Sequence, residues 1–141
     1  MALFTDTVTI YNSYGTIWKR TVLKGVQYTN KTVTTVSSDS KVNIGKTTNV
    51  TIPNTANTSG KQYIDSALYA RLTTAEVDNY YTLDIAKGLD LIAKGELTQE
   101  IDGIIYRTKN LKADYTNVVT IRSIADNRGR DFLKNIKVVC D

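Results

Sequence analysis

Between Asn117 and Cys140 the chain alternates twice. Val119 and Ile121 take turns with Thr120 and Arg122, Asp126-Asn127-Arg128-Gly129 breaks the run, and Ile136, Val138 and Cys140 then take turns with Lys137 and Val139. A period of two on each side of a turn predicts two antiparallel strands. Asp, Asn and Gly suit the break because they tolerate a sharply turned or left-handed backbone. A lone hairpin cannot bury its apolar face, so the rest of the chain must supply strands to cover it.

It does so in short runs. Asp6 to Asn12 places Val8 and Ile10 on one face and Thr7, Thr9 and Tyr11 on the other; Ser13-Tyr14-Gly15 turns, and Ile17 to Leu23 resumes with Trp18, Arg20 and Val22 together. Trp18 reads as a core or rim packing residue. Gly25 inside the pattern predicts a bulge or a barrel corner. Val26-Gln27-Tyr28 starts a further strand that continues through Thr32 to Val36, and Val50-Thr51-Ile52 ends at the single proline, Pro53, which lacks an N–H for a ladder. Ser37 to Lys46 and Asn54 to Lys61 are polar and predict long loops, the first of them mobile. Ile64, Leu68 and either Arg71 or Leu72 recur at helical spacing, with Asp65 or Ser66 as the cap. Tyr80 to Leu83, Leu89 to Leu97 with Gly95 at a bulge, and Ile104 to Arg107 predict further strands, while Lys109 to Tyr115 reads as a polar connection. The expected fold is mainly β: a small antiparallel β-barrel or sandwich in one domain over 1–141, with long loops at about 37–47 and 54–62 and at most one or two short helices.

Composition narrows the chemistry. The chain has 141 residues, nine tyrosines, one cysteine and no histidine. Lacking His, it lacks the commonest general base and metal ligand. A single Cys excludes a disulfide within the chain. The N-terminus carries neither a basic start nor a long apolar run, so no signal peptide or membrane span is expected. The net charge of +4 permits contact with nucleic acid without requiring it. No catalytic residue, metal site or cofactor is expected. Asp84, Asp90, Glu96, Glu100 and Asp102 read as solvated surface carboxylates rather than as an acid–base pair. Gly45-Lys46-Thr47 lacks the earlier glycine of a phosphate-binding loop. Tyr63, Tyr69, Tyr80, Tyr81, Tyr106 and Tyr115 interleave with basic residues, which leaves open an OB-like module that stacks single-stranded nucleic acid.

The ordered series Asp6-Thr7-Val8-Thr9-Ile10-Tyr11-Asn12, Trp18 to Val26, Val50-Thr51-Ile52-Pro53, Tyr81-Thr82-Leu83, Ala93-Lys94-Gly95-Glu96 and Val119 to Asp126 resembles small neck proteins of tailed bacteriophages and of prophages of Gram-positive bacteria, described as minor capsid, head-closure or head–tail connector proteins. The resemblance runs nearly end to end; where that family commonly has Trp this chain has Tyr81, and Phe132 is its only aromatic residue near the last strand. It implies a structural virion protein, assembled in the host cytoplasm: identical subunits in a dodecameric ring, a portal or adaptor protein above, a tail completion or terminator protein below, packaged double-stranded DNA in the channel, and no membrane. On this reading Ser37, Ser38, Asp39, Ser40, Lys41, Asn43 and Lys46 form a candidate loop facing the channel or the next ring.

Overall fold

The computed structural model describes residues 5–15, 17–36, 42–85, 90–102, 104–115, 117–129 and 134–140. Its eight strands are β1 (Asp6–Tyr14), β2 (Ile17–Val36), β3 (Val42–Pro53), β4 (Gln62–Tyr63), β5 (Tyr80–Tyr81), β6 (Leu91–Lys94), β7 (Val118–Asp126) and β8 (Asn135–Cys140). Six of them close into an antiparallel barrel in the order β1-β2-β3-β8-β7-β6, while β4 and β5 form a small parallel pair beside it. Two three-stranded meanders thus face each other, and closure removes the edges that an open sheet of this size would expose. The fold is mainly β as the alternation predicted, and of the two expected forms, barrel or sandwich, it is the barrel.

Glycine sets the barrel's corner. β1 pairs with β2 from Tyr14↔Ile17 to Thr7↔Lys24, and the next pair is Asp6↔Val26, so Gly25 is the extra residue of a bulge. Its φ of 82° is open to glycine at little cost. Past the bulge, β2 changes partner and runs along β3 from Gln27↔Thr51 to Val36↔Val42. The Asp6 carboxylate accepts the Tyr28 N–H (2.9 Å) where β1 ends. The two runs read as separate strands in the sequence are therefore one strand bent at Gly25.

The barrel core holds Val8, Ile10, Leu23, Val26, Val50, Ile52, Ile92, Ile121, Ile136 and Val138, with Tyr81 and Leu83 packed in the same cluster. Tyr11 belongs to the opposite face of β1, yet it is fully buried. It packs outside the barrel with Leu91, Ala93, Ile101 and Leu111, with Trp18, Tyr106 and Tyr115 at the margin. This second core is covered by the segment 97–106 and by helix α2 (Thr108–Asp114).

That cover differs from the expectation in two places. Ile104 to Arg107 is a tight turn, because the Asp102 carboxylate Oδ1 accepts the N–H groups of Ile104, Ile105 and Tyr106 (2.8, 2.9 and 3.0 Å) and leaves none for a ladder. Lys109 to Tyr115 is largely α2: Asn110 Oδ1 takes the Arg107 N–H (3.0 Å) at its start, and Leu111 anchors it in the second core. The other helix, α1 (Ser66–Tyr69), is a single turn capped by Asp65, whose carboxylate accepts the Ala67 N–H (3.3 Å). A 3-10 turn, Val77–Asn79, leads into β5.

The first predicted loop is shorter than its composition suggested. Residues 42–46 lie in β3, so only Ser37, Ser38, Asp39, Ser40 and Lys41 of that segment remain between strands, and these five lie outside the described residues. The second, 54–61, is an irregular connection but is stitched to β2. Lys24 and Asn57 exchange backbone hydrogen bonds (both 2.8 Å), and Ser59 Oγ donates to Val22 O (2.7 Å).

Candidate functional site

Strand pairing carries the far ends of β2 and β3 beyond the barrel. β8 accompanies β3 only from Cys140↔Thr48 to Asn135↔Pro53, and β1 has left β2 at Asp6↔Val26. The six pairs from Lys31↔Thr47 to Val36↔Val42 therefore bond to each other and, among the described residues, to no third strand. At about 3.4 Å per residue this two-stranded arm reaches roughly 20 Å beyond the barrel wall. A ribbon of two strands is marginal by itself, and both its edges offer unpaired backbone groups to another chain. Of the residues singled out from the sequence, Asn43 and Lys46 stand on this arm, opposite Thr35 and Thr32 in the register. The sequence showed a polar loop here because the Thr-, Ser- and Asn-rich composition masks the alternation.

A second feature is the turn after Asp102. Ile104 and Ile105 are 77% and 85% exposed, the most exposed of the large apolar side chains described. Their backbone is fixed by the three Asp102 bonds, by Asp102 N–H to Tyr106 O (3.1 Å) and by Arg107 Nε–H to Ile104 O (3.1 Å). Those N–H groups also hold the Asp102 carboxyl below the usual carboxylate range, so it is charged at neutral pH.

A third lies at the barrel mouth, a cavity of about 360 Å³ walled by Pro53, Lys61, Tyr63, Tyr81 and Arg128. Its cations are already engaged. Arg128 lies 4.8 Å from the Tyr63 ring centre and forks onto Asp126 (2.8 and 2.9 Å). Lys61 Nζ donates to Arg20 O and Thr21 Oγ1 (2.9 and 3.0 Å), and burial lowers its pKa. The Lys61 bonds tie the 54–61 connection to β2, and Arg128 sets the end of β7 against Tyr63 of β4.

The carboxylates divide unevenly. Glu96, Glu100 and Asp102 are on the surface as expected, whereas Asp84 and Asp90 are buried. Asp90 accepts from Asn12 Nδ2 (2.8 Å), Ser13 N–H (3.0 Å) and Asp84 N–H (3.2 Å); the same Asn12 amide donates to Thr82 O (2.6 Å) and accepts the Thr82 N–H (3.2 Å). The network joins β1 to Thr82, Asp84 and Asp90, which lie between β5 and β6, and its carboxylate is spent on protein donors. Among the described residues no group of three or more His, Cys, Asp or Glu is placed to hold a metal ion, and no helix is long and apolar enough to cross a membrane.

Five of the six tyrosines that suggested a stacking platform fall into three separate places. Tyr81 and Tyr63 meet edge-on at the barrel mouth, Tyr106 and Tyr115 flank the second core, and Tyr69 is buried against Tyr14. What the geometry offers is surfaces for contact: a projecting arm, a rigid apolar turn and a closed barrel behind them. The model of a family of unknown function, DUF6751, matches residues 3–141. No curated protein and no solved structure matches the chain.

Proposed function

We propose that this chain, which belongs to DUF6751, a family of unknown function, is a structural subunit of a ring in the neck of a tailed phage or a phage-derived particle. Copies stand side by side between a portal or adaptor protein and the tail, close the head around packaged double-stranded DNA, and present the surface on which the tail docks. The resemblance of the ordered sequence motifs suggests this role, and the observation that carries it is the β2–β3 arm.

A ribbon with two open edges gains most when a neighbouring subunit or ring covers it, and repetition around a closed ring gives every copy that neighbour. The arm's sequence carries Lys31 and Lys46, and Lys41 lies at the connection between its strands, so the arm suits a channel through which polyphosphate passes. The closed barrel supplies a rigid base from which the arm projects.

The test shortens the arm without touching the barrel. Residues 35–43 are replaced by Asn-Gly, a two-residue turn suited to join the paired positions Thr34 and Ile44. The expected result is a protein that unfolds at the unchanged temperature while particles carrying it lose their DNA or fail to acquire tails. Particles that retain DNA and bear tails would refute the role assigned to the arm.

A further inference from the structure

Charge is divided unevenly around the barrel. Past Gly25, β2 contains no Asp or Glu, nor do β3 and β8, and the one carboxylate of β7, Asp126, is forked onto Arg128. Carboxylates outside the barrel answer the cations of the first half of β2: Lys19 meets Asp78 (3.0 Å), Arg20 meets Glu100 (2.9 Å) and Lys24 meets Glu96 (3.8 Å). The wall of β3, β8 and β7 is left cationic, with Lys134 and Lys137 exposed on it.

The register shows what that wall presents. Thr51, Lys137 and Ala125 stand in one row across β3, β8 and β7, and Asn49, Val139 and Ser123 stand in the next. These rows face outward, because Val50, Ile52, Ile136 and Val138 are the alternate residues in the core and Ile124 packs against it. Together the rows line a groove of about 300 Å³. Among the described residues, no hydrogen bond or ion pair engages the side chains of Asn49, Thr51, Ser123 or Lys137. An amide, two hydroxyls and an ammonium thus share one groove with no carboxylate in its lining, the donor set that phosphate oxygens take.

We infer that this wall binds the sugar–phosphate backbone of duplex DNA, with a phosphate seated between Lys137 and the side chains of Asn49, Thr51 and Ser123; the inference rests on the ring reading and gives the channel a lining. Lys31 and Lys46, opposite Thr47 and Thr32 in the register, carry the carboxylate-free run onto the arm. No aromatic side chain lines the groove, so bases have no platform to stack on, which favours a duplex backbone over a single strand. A second copy of the chain is the poorer match, because Asp78, Glu96 and Glu100 are spent on its own cations. Contact with backbone alone carries no sequence information and weakens steeply with salt.

The test uses the full chain and reads, by fluorescence anisotropy, its affinity for a short duplex of mixed sequence and for the corresponding single strand between about 50 and 200 mM salt. The unmodified chain is expected to prefer the duplex, with log affinity falling against log salt at a slope of about −2, as for two phosphate contacts. Lys137→Glu and Ser123→Glu, both at exposed positions, should each weaken duplex binding by at least about tenfold, and Lys137→Glu should flatten the slope by about 1. Arg71→Glu, at an exposed position between α1 and β5, changes the net charge as much as Lys137→Glu does and should leave affinity within about threefold. An unchanged melting temperature in all three variants is the control for folding.

A chain that does not bind the duplex at the lower salt, that prefers the single strand, or that loses as much through Arg71→Glu as through Lys137→Glu overturns the wall as a DNA surface. Self-association abolished by Lys137→Glu with duplex binding unchanged would assign the wall to a second copy and overturn it too. Each of these results leaves the ring reading standing, since that reading is tested separately by particles carrying the shortened arm.

Discussion

Asn12 and Asp90 meet in a fully buried pair, with Asn12 Nδ2 donating to Asp90 Oδ2 at 2.8 Å. Burial pushes the Asp90 carboxyl above its ordinary 3.8, partly offset by bonds from Ser13, Asn12 and Asp84. The folded protein therefore holds this proton to higher pH than the unfolded chain does. Asp90's contribution to stability is full below 3.8 and is lost as pH rises through the folded value. Asp90→Asn sets an amide NH2 against N–H donors and should cost about 1–3 kcal/mol at neutral pH. The penalty should widen toward acid, where only the unmodified protein gains. Urea midpoints of both proteins from neutral to acid pH check this, and a gap independent of pH would count against it.

The second core depends on one residue of α2. Leu111 is fully buried among Tyr11, Leu91, Ala93 and Ile101, and it is the large apolar side chain that the helix contributes. Leu111→Ala should destabilise the protein by about 2–5 kcal/mol through lost burial and the cavity left behind. Ile105→Ala, at a position 85% exposed, should change stability by no more than about 0.5 kcal/mol. Denaturant unfolding of the two variants side by side measures the contrast. Equal effects would mean that the cover over β1 and β6 is not anchored at Leu111.

What the sequence revealed follows from where apolar residues alternate. β8 was legible because Ile136, Val138 and Cys140 all face the lumen, and β1 because Val8 and Ile10 do. The burial of Tyr11 on the other face of β1 was not legible, since a tyrosine among threonines reads as a half-exposed strand face, and the cover that buries it comes from about ninety residues further along the chain. α2 was missed because Leu111 stands nearly alone among polar residues, too few for a helical period. Asp84 and Asp90 read as surface charges because their burial depends on Asn12 and Ser13, which pairing brings close from the first strand. Of the candidate loop, Asn43 and Lys46 stand in a strand rather than a loop, and Ser37 to Lys41 lie outside the described residues. Ile104 and Ile105 read as strand residues because two adjacent isoleucines favour a strand, whereas a local turn closed by Asp102, two to four residues away, sets them outward.

Gly25 is the bend that lets one strand serve two partners. Its φ of 82° is strained for any residue with a Cβ. Gly25→Ala should therefore cost about 1–2 kcal/mol, whatever space surrounds it. The loss should appear in thermal or denaturant unfolding and be absent from Lys24→Ala, one position earlier on an exposed side chain. A neutral Gly25→Ala would show that the corner tolerates a different bend.

Alkaline stability should report the buried phenols. Tyr11 O–H donates to Gln99 O (2.7 Å), and desolvation by burial pushes its pKa up to about 12; burial does the same for Tyr81, again to about 12. Both groups are neutral in the folded state at pH values where an unfolded tyrosine, with an ordinary pKa of 10.0, has begun to ionise. Their contribution to stability is full below about 10 and is lost as pH rises to about 12. Tyr11→Phe leaves the Gln99 carbonyl without this donor and should cost about 1 kcal/mol near neutral pH. That gap should shrink above pH 10 as the unmodified protein loses what the variant never had. Unfolding midpoints on both sides of this range, together with the tyrosinate absorbance of the folded protein, measure it. Tyr11 ionising at the pH of a free tyrosine, without loss of structure, would overturn the account of the second core as a packed layer that buries it.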